Sequence, residues 1–109
     1  MKKINIVKKK ADFNRIIKKR QVINSRFFII NSEKSDNTRF GITFTKHIGN
    51  AVTRNKLKRR IKSIIDNNRN SYSKNRNYII IAKKDVVNLK YSELEQELIK
   101  AFKKGDKNE

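Results

Sequence analysis

The sequence predicts an α+β fold, a two-layer α/β sandwich in which helices pack on one sheet, built as a single domain over residues 1–109. Three observations lead to it: three segments with helical apolar spacing, two segments typical of β-strands, and one short, uniformly apolar run. The predicted order is αββαβα, and a further short strand near Val22 is left open. A mobile basic arm is expected at about 1–10 and a short tail at about 104–109.

The first half of the chain predicts one helix and two strands. The helix, at about 11–20, has an apolar stripe at helical spacing. A strand is predicted at 26–31 from its aromatic and β-branched residues, and the polar residues 32–37 are predicted to turn the chain back. The next strand, 38–45, alternates apolar and polar residues, so one of its faces is expected to be half exposed. The helical stripe consists of Phe13, Ile16 and Ile17.

The second half predicts two helices around a buried strand. A helix over about 51–67 carries an apolar stripe on one face, and the uniformly apolar run 78–82 is typical of a strand that is covered on both sides. The last helix is expected to start with a capping box formed by Ser92 and Glu95. The stripe of the middle helix consists of Leu57, Ile61, Ile64 and Ile65, and that of the last helix of Tyr91, Leu94, Leu98 and Phe102.

The charge balance points to a polyanionic partner. The chain has 29 Lys and Arg against 10 Asp and Glu, a net charge of +19. A field of this strength favours nucleic acid or an anionic membrane surface. No apolar run is long enough to span a bilayer, and no membrane partner is expected. The absence of cysteine excludes disulfides and thiolate zinc sites and fits a reducing compartment, and a cytoplasmic location is therefore expected.

The positive charge is concentrated on the predicted middle helix. Residues 46–62 contain seven Lys and Arg and no acid. Since the apolar stripe fixes one face of this helix to the core, the opposite face is predicted to present a group of cations to a polyanion. Three of the nine arginines fall within seven positions here, and their planar guanidinium groups suit phosphate. The cations from this helix are Arg54, Lys56, Lys58, Arg59, Arg60 and Lys62.

The sequence predicts no catalysis by the protein itself. Hydrolysis or group transfer needs a nucleophile with a base, paired carboxylates or a metal cluster. The chain has one histidine, His47, no cysteine, and acids that are scattered and absent between Asp36 and Asp66. A phosphate-contacting or strand-end role for His47 is favoured over that of a general base. No cofactor and no metal site are expected in the protein.

Segment 49–59, GNAVTRNKLKR, resembles the motif of the protein subunit of bacterial ribonuclease P. The residues RFGI at 39–42, the pair Thr45–Lys46, the pair Asp12–Phe13 and the YIIIA strand fit the same family. The resemblance covers residues 8–104. It departs from the family pattern in two ways: a lysine stands in place of the second arginine of the motif, and isoleucines stand where relatives often have aromatic residues. These positions are Lys56, Ile17 and Ile30.

The resemblance implies a ribosomal-protein-like sandwich whose basic helix joins two parallel strands by a left-handed crossover. It also implies that a ribonuclease P RNA with bound magnesium performs catalysis. The protein would bind that RNA and the 5′ leader of precursor tRNA, with no stable homo-oligomer required. The implied RNA-binding residues are Lys46, Asn50, Arg54, Asn55, Lys56, Lys58, Arg59, Arg60 and Lys62. The implied leader-cleft residues are Phe13, Ile17, Ile30 and Thr43.

Two other functions stay open at this point. A structural ribosomal or RNA-assembly protein would share the charge and the fold, and only the motif at 49–59 separates it from a processing subunit. A DNA-binding protein is disfavoured, because the sequence has no helix-turn-helix pattern.

Overall fold

The computed structural model describes residue 6 and residues 10–18, 22–46 and 48–106. These form three helices and four strands, with two short 3-10 turns at Arg69–Ser71 and Lys84–Asn88. The elements are α1 (Lys10–Ile17), β1 (Val22–Asn24), β2 (Phe28–Lys34), β3 (Arg39–Phe44), α2 (Ala51–Asn67), β4 (Arg76–Ala82) and α3 (Tyr91–Asp106). The α+β class is confirmed, and the short strand near Val22 exists, so the order is αβββαβα.

The four strands form one mixed sheet in the order β1-β2-β4-β3. β2 pairs antiparallel with β1 and β4, whereas β3 runs parallel to β4. α2 therefore connects two neighbouring parallel strands and crosses from one end of the sheet to the other. The left hand of this crossover stays a prediction from the resemblance.

One face of the sheet, here called the core face, packs against α2 and α3. Strand residues at alternate positions point to it, and most of them are fully buried. The predicted stripe of α2 is buried against them, as are Leu94, Leu98 and Phe102 of α3. Four aromatic rings meet there with centroids 5.0 to 6.5 Å apart, which gives edge-to-face and stacked contacts. The rings are those of Phe40, Tyr72, Tyr78 and Phe102.

The opposite face, here called the α1 face, is covered by the short helix α1. Ile16 of this helix and Ile79 of β4 are fully buried. The ring of Phe13 lies over Gly41, where a Cβ atom would come within 3.1 Å of the ring and 2.6 Å of the Ile79 side chain. Glycine is therefore what lets α1 approach β3 at this position. β4 is covered on both faces, as its apolar sequence predicts.

Two local predictions are wrong. β2 extends to Lys34, because residues 32–34 pair with residues 78–76 of β4. The turn predicted at 32–37 therefore begins later than the sequence suggests. The Ser92–Glu95 capping box does not form, since α3 begins earlier, at Tyr91. Glu93 Oε1 instead accepts a hydrogen bond of 3.0 Å from the Lys90 backbone N–H. Glu95 Oε2 accepts one of 3.0 Å from Asn68 Nδ2, which ties α3 to the end of α2.

Candidate nucleic-acid interface

The N-terminus of α2 is fixed by a glycine and an asparagine. Gly49 has φ +133°, a conformation that side chains rarely adopt, and a Cβ there would meet the Thr53 side chain at 3.1 Å. Asn50 is the N-cap, and its Oδ1 accepts a 3.0 Å hydrogen bond from the Thr53 N–H. The exposed Asn50, predicted to contact RNA, thus has a structural role that the sequence analysis missed. The Asn-x-x-Thr spacing, typical of an N-cap, would have revealed it.

The polar side of α2 faces solvent, as predicted. Its first buried residue is Leu57, so the preceding turn and a half projects beyond the core. Arg54 precedes Ile61 by seven residues and shares its side of the helix, but it is exposed because it lies in this projecting part. Lys46, in the turn before α2, is also exposed. Of the other predicted residues, Asn55, Lys56 and Arg59 are exposed, and Lys58, Arg60 and Lys62 are half-buried.

In the part of the chain that the structure describes, the cations of α2 have no acidic partner. Ion pairs in the described part of the chain join Arg15 to Glu33 at 2.6 Å, Arg69 to Asp66 at 2.6 Å and Lys100 to Glu97 at 3.6 Å. Within residues 10–18, 22–46 and 48–106, none of the six cations of α2 forms such a pair. The first turn of α2 also carries no acid. Among the described residues, the cations of α2 therefore form a positively charged surface without acidic partners, which suits several phosphates.

An apolar side chain lies within this cationic surface. Val52 is 74% exposed, the highest value among the exposed large hydrophobic residues of the described chain. It lies seven residues before Arg59 and four before Lys56, so it shares their side of α2. The sequence alone does not distinguish it, because one valine beside a helix start carries no periodic signal. It offers a van der Waals contact among groups that bind phosphate.

Two of the four predicted leader-cleft residues lie on the α1 side of the sheet. Phe13 is half-buried over Gly41, and Thr43, also half-buried, lies two residues farther along β3 and points to the same face. Ile17 is the last residue of α1, and its side chain lies outside the described residues. An apolar ring and a hydroxyl thus border the space beside α1.

The assignment of Ile30 to the leader cleft is wrong. Ile30 is fully buried on the core face, opposite Ile80 of β4. Successive strand residues point to opposite faces, so a shift of one position exchanges core for cleft. The β2 residue that faces α1 at this level is Asn31, which pairs with Ile79.

A polar network on the α1 face was missed. Arg15 of α1 donates to both carboxylate oxygens of Glu33, with Nη2–Oε2 at 2.6 Å and Nε–Oε1 at 3.2 Å. Asn77 Nδ2 donates to Glu33 Oε2 at 3.2 Å. Among the residues that the structure describes, the buried Asn77 Oδ1 accepts no hydrogen bond. Asn77 and Glu33 are 44 residues apart, so only the β2–β4 register could have revealed the network.

The described residues contain no group of three or more His, Cys, Asp or Glu that could hold a metal ion. His47, the only histidine, lies outside them. None of the described helices is long and apolar enough to cross a membrane. The described surfaces offer exposed cations on α2 and, on the α1 face, the ring of Phe13 and the hydroxyl of Thr43.

Comparisons with known proteins agree with this chemistry. A family model described as Ribonuclease P matches residues 1–106. The ribonuclease P protein component of Streptococcus pneumoniae serotype 4 is 38% identical over 105 residues, which cover 94% of this chain and 85% of the relative. The corresponding protein of Bacillus mycoides is 36% identical over 108 residues, covering 96% and 94%.

Solved structures share the fold. The RNase P protein from Thermotoga maritima superimposes with a TM-score of 0.82 over 92% of this chain and 96% of its own, at 23% identity, which is evidence for the fold alone. A Staphylococcus aureus RNase P protein, described as a mutant with defective mRNA degradation activity, gives a TM-score of 0.83 at 31% identity. That match covers 92% of this chain and 86% of the other.

Proposed function

The chain belongs to the bacterial ribonuclease P protein family, and from that premise we propose how its surfaces bind RNA. It is the protein subunit of an endoribonuclease that matures the 5′ end of tRNA, and it associates with ribonuclease P RNA. In the proposal, the outer side of α2 binds the catalytic RNA, and the groove beside α1 binds the leader of precursor tRNA.

The unpaired cations of α2 carry the first half of the proposal. Arg54 and Arg59 are exposed on a helix whose inner side is fixed by buried residues, so their positions are set before RNA arrives. A guanidinium can donate two parallel hydrogen bonds to one phosphate. Lys56, the departure from the family motif, keeps the charge but supplies a single ammonium group. Each contact releases counterions from the RNA, so binding should weaken steeply with salt.

The groove beside α1 carries the second half. Phe13 offers a ring for stacking and Thr43 a hydroxyl, and neither reads one particular base, so leaders of many sequences would be accepted. A single-stranded leader is repelled by the folded catalytic RNA next to it. A protein of net charge +19 between the two lowers this repulsion, which favours precursor over mature tRNA.

Magnesium, in this proposal, is held by the RNA subunit and supplies the activated water there. No residue of the protein is assigned to the metal or to bond cleavage. The protein's own part is to bind and orient the two RNA strands. We place the complex in the cytoplasm, and no second copy of the protein is required.

A binding series tests the role of α2. Arg54→Ala and Arg59→Ala should each weaken binding to the catalytic RNA by roughly 1–3 kcal/mol and lower the salt slope by about one unit. Lys100→Ala is the matched control, because Lys100 is exposed on α3 and paired with Glu97. If Arg59→Ala and the control bound equally well across the salt series, α2 would not be the RNA-binding surface.

A reconstitution separates this function from a purely structural one. Precursor tRNA is incubated with the protein, with the candidate ribonuclease P RNA, and with both, at low magnesium. Cleavage that requires the mixture supports the proposal. A protein that bound RNA without promoting cleavage would be an assembly protein, and cleavage by the protein alone would refute catalysis by the RNA.

A further inference from the structure

The first turn of α2 carries an apolar side chain that does not belong to the hydrophobic core. Val52 is 74% exposed, whereas the other exposed large hydrophobic residues of the described chain, Val87 and Tyr91, are 41% and 37% exposed. We propose that Val52 packs against the base of an unpaired nucleotide of the catalytic RNA. This inference rests on the proposed function, in which α2 binds that RNA.

Polar side chains that suit RNA surround Val52 on its side of α2. Asn55 follows it by three residues, Lys56 by four and Arg59 by seven, and residues at these spacings share one side of a helix. All three are exposed. Neighbours three and four residues apart have Cβ atoms about 5–6 Å from each other. A nucleotide whose phosphate contacts Lys56 therefore has its sugar and base within reach of Val52.

The neighbouring basic side chains leave the surface of Val52 open. A lysine or arginine can lay its methylene groups over an apolar neighbour while its charged end stays in water. Such a cover would bury Val52, yet 74% of this residue is accessible. The apolar surface is thus available to a ligand that also binds the cations beside it.

A single exposed hydrophobic residue is common in soluble proteins and by itself indicates no function. Val52 differs because it lies among cations that have no acidic partner in the described part of the chain. Its position is also fixed, by the Asn50 cap on Thr53 before it and by the buried Leu57 after it. The branched side chain has restricted rotation about χ1, so it loses little entropy when a ligand packs on it.

The chemistry of the contact explains why the ligand is an unpaired base. Bases within an RNA helix cover each other's faces, so an unstacked nucleotide is what offers a free face to a side chain. Packing on that face neutralises no phosphate and releases no counterion. The contribution of Val52 to affinity is therefore independent of salt, unlike that of Arg59.

The test compares Val52→Ala and Val52→Thr with Val87→Ala and Arg59→Ala. Val87 is the matched control, because it is an exposed valine outside α2, in the 3-10 turn Lys84–Asn88. Each protein is titrated with the catalytic RNA over a salt series. Each holoenzyme is then titrated with precursor tRNA and with mature tRNA. Circular dichroism and urea unfolding check the fold of every variant.

Val52→Ala should raise the dissociation constant for the catalytic RNA about threefold to tenfold at every salt concentration, with the salt slope of the parent. Val52→Thr keeps the shape of the side chain and should weaken binding at least as much, because its hydroxyl is buried against the base. Arg59→Ala should lower the slope by about one unit. Neither Val52 variant should change the unfolding midpoint, since the side chain is exposed.

Val52 variants that bind like Val87→Ala, while Arg59→Ala weakens binding, would overturn the inference and leave the proposed function intact. If Arg59→Ala also had no effect, the proposed role of α2 would fail, and the inference with it. A lowered salt slope in Val52→Ala would contradict an apolar contact, and a lowered unfolding midpoint would make Val52 a structural residue. Weaker binding of precursor tRNA alone would contradict the assignment to the catalytic RNA.

Discussion

The two faces of the sheet are built from neighbouring residues of the same strands, yet they are covered very differently. The core face lies under α2 and α3, helices of 17 and 16 residues, and buries an aromatic cluster. The α1 face lies under a helix of 8 residues and carries glycine, threonine, asparagine and glutamate. Aromatic burial is thus concentrated on the core face, whereas the α1 face combines buried isoleucines such as Ile16 and Ile79 with polar side chains.

The largest difference in stability loss is expected between alanine substitutions of two phenylalanines, one on each face of the sheet. Phe40 is 1% exposed within the aromatic cluster. Its replacement by alanine should lower the free energy of unfolding by about 3–5 kcal/mol. Phe13→Ala should cost roughly 1–2 kcal/mol, because the half-buried ring loses less apolar contact. Urea unfolding of both variants and of the parent in the same buffer measures the difference. Equal losses would mean that the α1 face is as much a core as the other.

A smaller effect is expected from filling the space under α1. In Gly41→Val the added side chain meets Ile79 and the ring of Phe13, so α1 must shift outward. Overpacking of this kind costs roughly 1–3 kcal/mol. Combining it with Phe13→Ala should recover part of the loss, since the ring no longer obstructs. A double-mutant cycle that showed strict additivity would place Phe13 away from Gly41.

The smallest expected effect on stability comes from the ionisation of Tyr72, which belongs to the aromatic cluster on the core face. Burial raises the pKa of Tyr72, Arg69 opposes this, and Asp66 adds to it. Because the folded state favours the neutral phenol, its contribution to stability is complete below the unfolded pKa of about 10 and is lost as pH rises through the higher folded value. Tyr72→Phe should therefore unfold less readily than the parent above about pH 10. Parallel alkaline unfolding curves for the two proteins would contradict the assignment.

The sequence predicted what depends on periodicity. The limits of α2 at 51–67 and its buried stripe were found correctly, because Leu57, Ile61, Ile64 and Ile65 repeat along a long helix. The exposure of Lys56 and Arg59 followed from the same periodicity, since a buried stripe determines the opposite side as well. Arg54 did not follow from it, because it shares the side of Ile61 and is exposed only as it precedes the first buried residue, Leu57.

What the sequence did not predict depends on register. Ile30 was placed in the cleft by the family resemblance alone, and the apolar run FFII could not correct this, because such a run does not reveal which alternate set of residues points inward. The Arg15–Glu33–Asn77 network needs the pairing of β2 with β4, which joins residues more than 40 positions apart. The cap of α3 was misplaced by two residues because serine is preferred at such a position, while the side chain that caps is Glu93.

The central claim, that the α1 face serves the leader, is tested most directly by the substrate preference of a Phe13→Ala holoenzyme. Dissociation constants are measured for precursor tRNA, for a precursor trimmed to a one-nucleotide leader and for mature tRNA. We expect weaker binding of the full precursor by about 1–3 kcal/mol, with the binding of the other two RNAs unchanged. Equal weakening of all three, in a variant that circular dichroism shows to be folded, would contradict it and leave Phe13 as a packing residue.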